Sequence, residues 1–203
     1  MSAGTRYVIM ANGKGRRWGN HGGIPKHLIE VEGETLLQRT TRLVREVEPE
    51  AEVVIASSNP LCVADGARRH EPLRSAHELD RFCFELIEDN CCFLYGDTFY
   101  TPQAIGAIAA YPAKSVSFFG SVKSIVAVKV ADAGLFRSAI LKLRTMIDQG
   151  AIPDAKGWTL HHHLEGMPLE GRAMGPGFIA IEDGTTDFNG RGSRLKTDRI
   201  GER

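Results

Sequence analysis

The sequence lacks several features that would place it in a class at once. Its 25 basic and 25 acidic residues cancel, so no excess of positive charge favours nucleic acid or a membrane surface as a partner. No apolar run approaches the roughly 20 residues that cross a bilayer, and the opening MSAGTR does not begin a signal peptide. We therefore expect a cytoplasmic protein that binds neither nucleic acid nor membranes.

Cysteine is scarce, and its spacing fits no known site. The four cysteines form no CxxC pair, and two of them are neighbours: Cys62, Cys83, Cys91 and Cys92. Neighbouring residues in a strand face opposite sides of a sheet. This spacing disfavours a zinc site and a redox pair, so we expect four buried free thiols.

The remaining composition is that of an ordinary globular protein. The 203 residues are 42% hydrophobic and 25% charged, which suits one domain with a buried core. We expect a single domain over residues 1–203. The chain from about 190 has few apolar side chains, so we expect it to be poorly ordered.

Apolar runs of strand length alternate with segments of helical period. We predict strands at 6–11, 51–57, 91–95, 115–119, 124–130 and 177–183. Helices are predicted at 34–47, 75–87, 101–111, 133–147 and 158–166. Apolar strands between helices indicate a Rossmann-like α/β fold, with a mostly parallel central sheet and helices on both faces. A hairpin or short crossover joining 115–119 to 124–130 would be its small antiparallel part.

A loop with two glycines and three cations follows the first predicted strand. In ANGKGRRW, residues 11–18, Gly13 and Gly15 would allow backbone N–H groups to surround a phosphate. Lys14, Arg16 and Arg17 add charged donors. The loop lies where α/β proteins bind ligands, yet it matches neither GxxxxGK[ST] nor GxGxxG. By itself it is explained equally well as a basic surface turn.

Further segments change this interpretation. Together with the loop, IPKHL, the G-x-x-L-L helix entry, YGDT and TTDFN resemble nucleotidyltransferases of the nucleotide-diphospho-sugar transferase (GT-A-like) superfamily over residues 6 to about 189. The matching positions are Ala11, Gly13, Gly15 and Arg17 in the loop, then Pro25, Lys26, Leu28, Gly33, Leu36, Leu37, Gly96, Asp97 and Asp187. Asn12 departs from the family, which has a second glycine there. Asn189 and Gly190 also depart from the usual Asp-Thr.

The resemblance implies a GT-A-like fold and transfer of a nucleoside monophosphate from an NTP to a small phosphorylated acceptor, with release of pyrophosphate. The acceptor would be a sugar phosphate or a phospho-alcohol. Arg17 would stabilise the pyrophosphate, and Lys26 would neutralise the α-phosphate and attract the acceptor phosphate. Asp97 and Asp187 would share Mg²⁺. The nucleotide-binding residues would be Ala11, Asn12, Gly13, Lys14, Gly15, Arg16 and Ser75.

Several alternatives stay open. Lys26 could be a solvated loop lysine, and Asp97 could cap the helix that begins near Thr101. A glycosyltransferase of the same fold usually carries D-x-D, whereas YGDT has one aspartate. A non-catalytic nucleotide-sensing module would keep the fold without the reaction. The nucleobase, the acceptor and the oligomeric state, a homo-oligomer included, are not determined.

Three successive histidines, His161, His162 and His163, invite a metal interpretation. On a helix their side chains point about 100° apart, so they cannot converge on one ion. We expect instead a helix on the surface or on the substrate side of the molecule.

Overall fold

The computed structural model describes residues 4–13 and 24–181, together with the backbone of 185–187. Within these residues eleven strands are present: β1 (Arg6–Met10), β2 (Glu30–Val31), β3 (Glu34–Thr35), β4 (Glu52–Ala56), β5 (Arg68–His70), β6 (Cys91–Tyr95), β7 (Thr98–Tyr100), β8 (Val116–Ser121), β9 (Ser124–Val130), β10 (Phe178–Ala180) and β11 (Thr185–Asp187). The α-helices described are α1 (Leu36–Val47), α2 (Pro102–Ala110), α3 (Ala133–Asp148) and α4 (Gly157–Leu164).

Seven strands form the central sheet in the order β10-β8-β9-β6-β1-β4-β5. Strands β1, β4, β5 and β6 pair in parallel, as do β8 and β10. Strand β9 is antiparallel to both β6 and β8, so it alone runs against the other six. The link between β8 and β9 is therefore a hairpin. The predicted mostly parallel sheet with a small antiparallel part is confirmed.

Helices cover both faces of this sheet. On one face the first core joins the sheet to α1 and α2 through Leu37, Leu43, Ile105 and Ile108. On the other face the second core joins it to α3 and α4 through Phe136, Leu143 and Leu160. Cys91 lies in the second core and Cys92 in the first. All four cysteines are buried free thiols, as predicted.

The segment 75–87 differs from its prediction. It forms two 3-10 helices, Glu78–Phe82 and Phe84–Leu86, separated by Cys83 with a φ of 29°. A positive φ at a non-glycine residue interrupts α-helical hydrogen bonding. The apolar side chains of Leu79, Phe82 and Leu86 are all buried, and three- and four-residue spacing suits 3-10 turns as well as an α-helix. The α-helix prediction for this segment is therefore wrong.

Several strands were not predicted because they are short or polar. Strand β5 has the sequence RRH and lies at the edge of the sheet, where charged residues are common because they discourage pairing with other chains. Strands β2 and β3 pair only with each other, and β7 pairs with β11. None of the described helices is long and apolar enough to span a membrane. The tail from about 190 lies outside the described residues.

Candidate functional site

The candidate site begins where β1 and β6 end side by side. The N–H of Gly96 donates to the carbonyl of Met10 at 3.1 Å. A Cβ at position 96 would lie 2.8 Å from that same oxygen, a clash that only glycine avoids. The close approach places Asp97 next to the start of the loop after β1. Two segments more than 80 residues apart in the sequence thus meet at the carboxyl edge of the sheet.

Asn12 anchors the start of that loop. Its Oδ1 accepts hydrogen bonds from the backbone N–H of Ser58 at 3.1 Å and from the Ser58 hydroxyl at 2.6 Å. The described non-glycine residues with positive φ are Glu32, Cys83 and Asn90, so Asn12 does not need the backbone freedom of a glycine. The departure from the family loop therefore introduces no left-handed backbone at Asn12. Lys14, Gly15, Arg16 and Arg17 lie outside the described residues.

Lys26 and Asp97 form an ion pair at this edge. Lys26 begins the 3-10 helix Lys26–Leu28, and its Nζ donates to Asp97 Oδ2. The two side chains are only 13% and 9% exposed, so Lys26 is not a solvated loop lysine. Nor does Asp97 cap α2, because the Thr101 side chain accepts the hydrogen bond from Ala104 N at that helix start.

The charge state of Asp97 follows from its neighbours. Burial would raise the pKa of the Asp97 carboxyl, but its interactions with Lys26, His27 and Arg81 outweigh burial and lower it. The carboxylate is therefore ionised at neutral pH. It is an oxygen ligand of the type that Mg²⁺ prefers.

His27 is a site residue that the sequence analysis missed. Its ring is buried and lies 3.9 Å from where a Cβ at Gly13 would be. Burial lowers the pKa of His27 to about 4, with Lys26 and Arg81 adding to the effect and Asp97 opposing it. The ring is thus neutral at pH 7. The available signal was its position inside PKHL, where the family pattern allows any residue.

Arg81 is the second missed residue, and it brings another cation to the end of β6. Its Cζ lies 5.5 Å from the centre of the Tyr95 ring, and its Nε donates to the carbonyl of Glu78 at 3.1 Å. Its charge lowers the pKa of both Asp97 and His27. Ser75, the residue expected to contact the nucleoside, is exposed in the chain just before this segment.

Pairing between two short strands brings position 187 close to Asp97. Strand β11 pairs antiparallel with β7, and Asp187 lies opposite Thr98, the residue after Asp97. Among the residues whose side chains are described, no three acidic, histidine or cysteine side chains cluster as a metal site. A metal at this edge would thus rely on Asp97 and on position 187.

Two of the three histidines of α4 are not on the surface, so the surface option of that prediction is wrong. His161 and His162 are buried, and His163 is partly buried. His162 Nδ1 lies 2.6 Å from the carbonyl of Pro168, so it carries the proton and Nε2 accepts from Ala173 N at 3.1 Å. His161 Nε2 accepts from Gly175 N at 3.1 Å. The rings hold the loop after α4, which the sequence could not show.

Comparison with known protein families finds a match to the part of the chain that contains this site. Residues 7–117, more than half of the chain, match the model of the MobA-like NTP transferase domain. The chain belongs to this family. The match contains the loop after β1, Lys26 and Asp97, and it confirms the predicted nucleotidyltransferase class. It therefore favours nucleotidyl transfer over the glycosyltransferase alternative.

Solved structures show the same fold at low identity. CTP:phosphocholine cytidylyltransferase from Streptococcus pneumoniae aligns with a TM-score of 0.63 and 12% identity, over 97% of this chain and 98% of that one. The 4-diphosphocytidyl-2C-methyl-D-erythritol synthase from Anaerococcus prevotii gives 0.62 and 12%, over 98% and 96%. UDP-glucose pyrophosphorylase from Acinetobacter baumannii gives 0.58 and 9%, over 96% and 92%. Comparison with curated protein sequences finds no match.

Proposed function

We propose that this protein is a Mg²⁺-dependent nucleotidyltransferase that transfers a nucleoside monophosphate from an NTP to a small phosphorylated acceptor and releases pyrophosphate. The observation that carries the proposal is the buried Lys26–Asp97 pair beside the loop after β1. Two of the structural neighbours are named for phosphocholine and UDP-glucose. We accordingly propose a phospho-alcohol or a sugar phosphate as the acceptor.

The reaction asks mainly for positive charge in fixed positions. An acceptor phosphate oxygen attacks the α-phosphorus, a new P–O bond forms, and the bond to the bridging oxygen of pyrophosphate breaks. Negative charge grows on the oxygens around the phosphorus, so positioned cations stabilise the transition state. Lys26 would neutralise the α-phosphate, and Arg17 would stabilise the departing pyrophosphate. A phosphate acceptor is already ionised at neutral pH, so no general base is required.

The nucleotide would lie along the loop after β1. Ala11, Asn12 and Gly13, with Lys14, Gly15 and Arg16, would hold the triphosphate through backbone N–H groups and side-chain charge. Ser75 would contact the nucleoside. A nucleotide phosphate that takes the Lys26 ammonium would release the Asp97 carboxylate, so the ion pair keeps both groups charged and close until substrate arrives. We propose that a single cytoplasmic domain contains the whole site.

Asp97 and Asp187 would hold the magnesium ion. The ionised state of Asp97 and the register that sets Asp187 opposite Thr98 both suit a hard divalent cation. When bound, the ion supplies positive charge that polarises phosphate oxygens.

The test is pyrophosphate release from each of the four common NTPs, with phosphocholine, glucose 1-phosphate and a polyol phosphate as acceptors. We expect turnover for at least one pair, and a loss of about 100-fold or more in Asp97→Ala, because a charged group that positions the transition state is removed. Asp65→Ala is the matched control, since it removes an exposed carboxylate and should leave the rate unchanged.

Two outcomes would contradict the proposal. Undiminished activity in Asp97→Ala would remove Asp97 from the mechanism. Binding of an NTP in calorimetry, without turnover for any acceptor, would favour the nucleotide-sensing alternative.

A further inference from the structure

The segment that carries Arg81 is held rigidly against the second core. Asp80 accepts a hydrogen bond from Arg144 of α3 at 2.6 Å, and the two side chains are 3% and 10% exposed. The flanking Leu79 and Phe82 are buried, and Phe82 packs edge-on against Phe136 at 5.4 Å between ring centroids. The backbone of Arg81 is thus fixed on both sides by buried contacts.

The Arg81 side chain itself is directed to the site. Its guanidinium carbon lies 5.5 Å from the Tyr95 ring, two residues before Asp97. The side chain is 29% exposed, and its ion-pair partner is Glu78, which is 47% exposed and three residues earlier. Three of the five guanidinium N–H groups bond to the Glu78 carbonyl, the Glu78 carboxylate and the Tyr95 side chain. The others are available for an anion, and an exposed carboxylate is only a weak competitor for the arginine.

Lys26 and Arg81 come to the end of β6 from segments that pack on opposite faces of the sheet. Leu28, in the same short helix as Lys26, packs against the first core, whereas Leu79 and Phe82 beside Arg81 belong to the second core. In an in-line phosphoryl displacement the entering and leaving oxygens also lie on opposite sides of the phosphorus. One cation on each side of Asp97 suits one phosphate on each side.

We propose that Arg81 binds the phosphate of the acceptor, on the side of Asp97 opposite to Lys26. A guanidinium binds a phosphate through two parallel hydrogen bonds, which fixes orientation as well as charge. Glu78 holds the side chain in the absence of acceptor and competes with the phosphate for it. This inference rests on the proposed function, and it assigns the acceptor half of that site.

Binding of two simple anions tests the acceptor half and the triphosphate half of the site separately, and neither test requires that the nucleobase be known. Methyl phosphate probes the acceptor half, and pyrophosphate probes the triphosphate half. Each is titrated with Mg²⁺ present into the full-length protein, and binding is followed by calorimetry or by ³¹P NMR. The variants are Arg81→Met and Glu78→Gln. The control is Arg68→Met, because Arg68 is an exposed arginine of the edge strand β5 and pairs with Glu52.

The proposal predicts opposite effects in the two site variants. Arg81→Met should weaken methyl phosphate binding about tenfold or more and leave pyrophosphate binding within about twofold. Glu78→Gln should strengthen methyl phosphate binding, because the competing carboxylate is gone. Arg68→Met should change neither anion.

Other results overturn the proposal. Equal weakening of both anions in Arg81→Met would place Arg81 in the triphosphate half. Unchanged binding of both, or no methyl phosphate binding to the unsubstituted protein up to its solubility limit, would remove Arg81 from substrate binding. These results are independent of turnover: a chain that binds both anions as predicted but shows no activity with any NTP contradicts the proposed reaction and leaves the anion site in place.

Discussion

Two buried polar clusters of this molecule differ in what their side chains contact. The first, the carboxylate cluster, contains Asp97 with Lys26, His27 and Arg81. The second is the histidine pair, His161 and His162. The carboxylate cluster brings together three ionised side chains and the neutral ring of His27, from segments far apart in sequence. The histidine pair consists of two rings that bond to the backbone of one nearby loop.

The difference indicates which cluster is open to a ligand. The bonds of the histidine pair go to Pro168, Ala173 and Gly175, so its role is to fix the loop after α4. In the carboxylate cluster the two cations, Lys26 and Arg81, are paired with the carboxylates of Asp97 and Glu78, and an added phosphate would compete with those carboxylates for the cations. This contrast supports the proposal that substrate binds at the carboxylate cluster, whereas the histidine pair contributes to stability.

The largest effect is expected from Lys26. Lys26→Met should lower activity by about 100-fold or more, because a cation beside the α-phosphate is lost. It should also lower the free energy of unfolding by roughly 3 kcal/mol, because Asp97 is left buried without its partner. Pyrophosphate release and urea denaturation measure the two effects.

The double variant Lys26→Met/Asp97→Asn sharpens this test. It should recover most of the lost stability, since no uncompensated charge remains, but none of the activity. A double variant that is no more stable than Lys26→Met would show that the pair does not compensate charge as described.

The histidine pair should show the reverse behaviour. His162→Leu removes the two hydrogen bonds of this buried ring to Pro168 and Ala173, each of which stabilises the fold by about 1 kcal/mol, so we expect a loss of about 2 kcal/mol in the free energy of unfolding. Activity per folded molecule should be unchanged. His163→Leu, one residue further along α4 and only partly buried, is the control. Lost activity in His162→Leu at full stability would contradict this division of roles.

Acid should destabilise both clusters through their neutral histidines. Burial lowers the pKa of His27 and of His161 to about 4, while in the unfolded chain each keeps an ordinary value near 6.5. As the pH falls from about 6.5 to about 4, the unfolded chain takes up these protons first and stability is lost. The total loss is on the order of 3 kcal/mol for each histidine.

Denaturation curves between pH 6.5 and pH 5 test this linkage, because carboxylates with lowered pKa act mainly below that range. His161→Gln and His27→Gln should each flatten the slope. Only His27→Gln should also alter substrate binding. A slope unaffected by either change would contradict the neutral buried state of the rings.

The smallest effect is expected at Asn12. Asn12→Gly restores the family glycine but removes the bonds to Ser58, so we expect a stability loss of about 1 kcal/mol or less and activity within about threefold. Ser58→Ala should remove part of the same stability, and the two changes should not add. A large rise in activity with Asn12→Gly would show that asparagine distorts the turn.

Much of the fold could be predicted, because the spacing of apolar residues within each segment indicates whether it forms a strand or a helix. The segments that form β1, β4 and β6 are short, continuous apolar runs, which is the pattern of strands buried on both faces. The helix α1 has an apolar stripe along one side and polar residues on the other. The segment 75–87 could not be predicted, because its apolar spacing suits two kinds of helix. The left-handed backbone of Cys83 and the Asp80–Arg144 pair depend on tertiary contacts.

The same limit applies to the site. Gly96 and Asp97 were found through a short motif, and the structure explains the glycine by its approach to Met10. Arg81 belongs to no motif, and its proximity to Tyr95 exists only after β6 and α3 have assembled. The burial of His161 and His162 could not be predicted, because their partners lie in a loop with no apolar period. Polar partners distant in sequence leave no periodic signal.

A crystal structure with Mg²⁺ and a mixture of the four NTPs tests the central claim most directly. We predict a triphosphate beside residues 11–13, with the Lys26 ammonium turned from Asp97 to a phosphate oxygen and the metal ion on Asp97. A nucleotide bound away from Asp97, with the Lys26–Asp97 pair unchanged, would contradict the account.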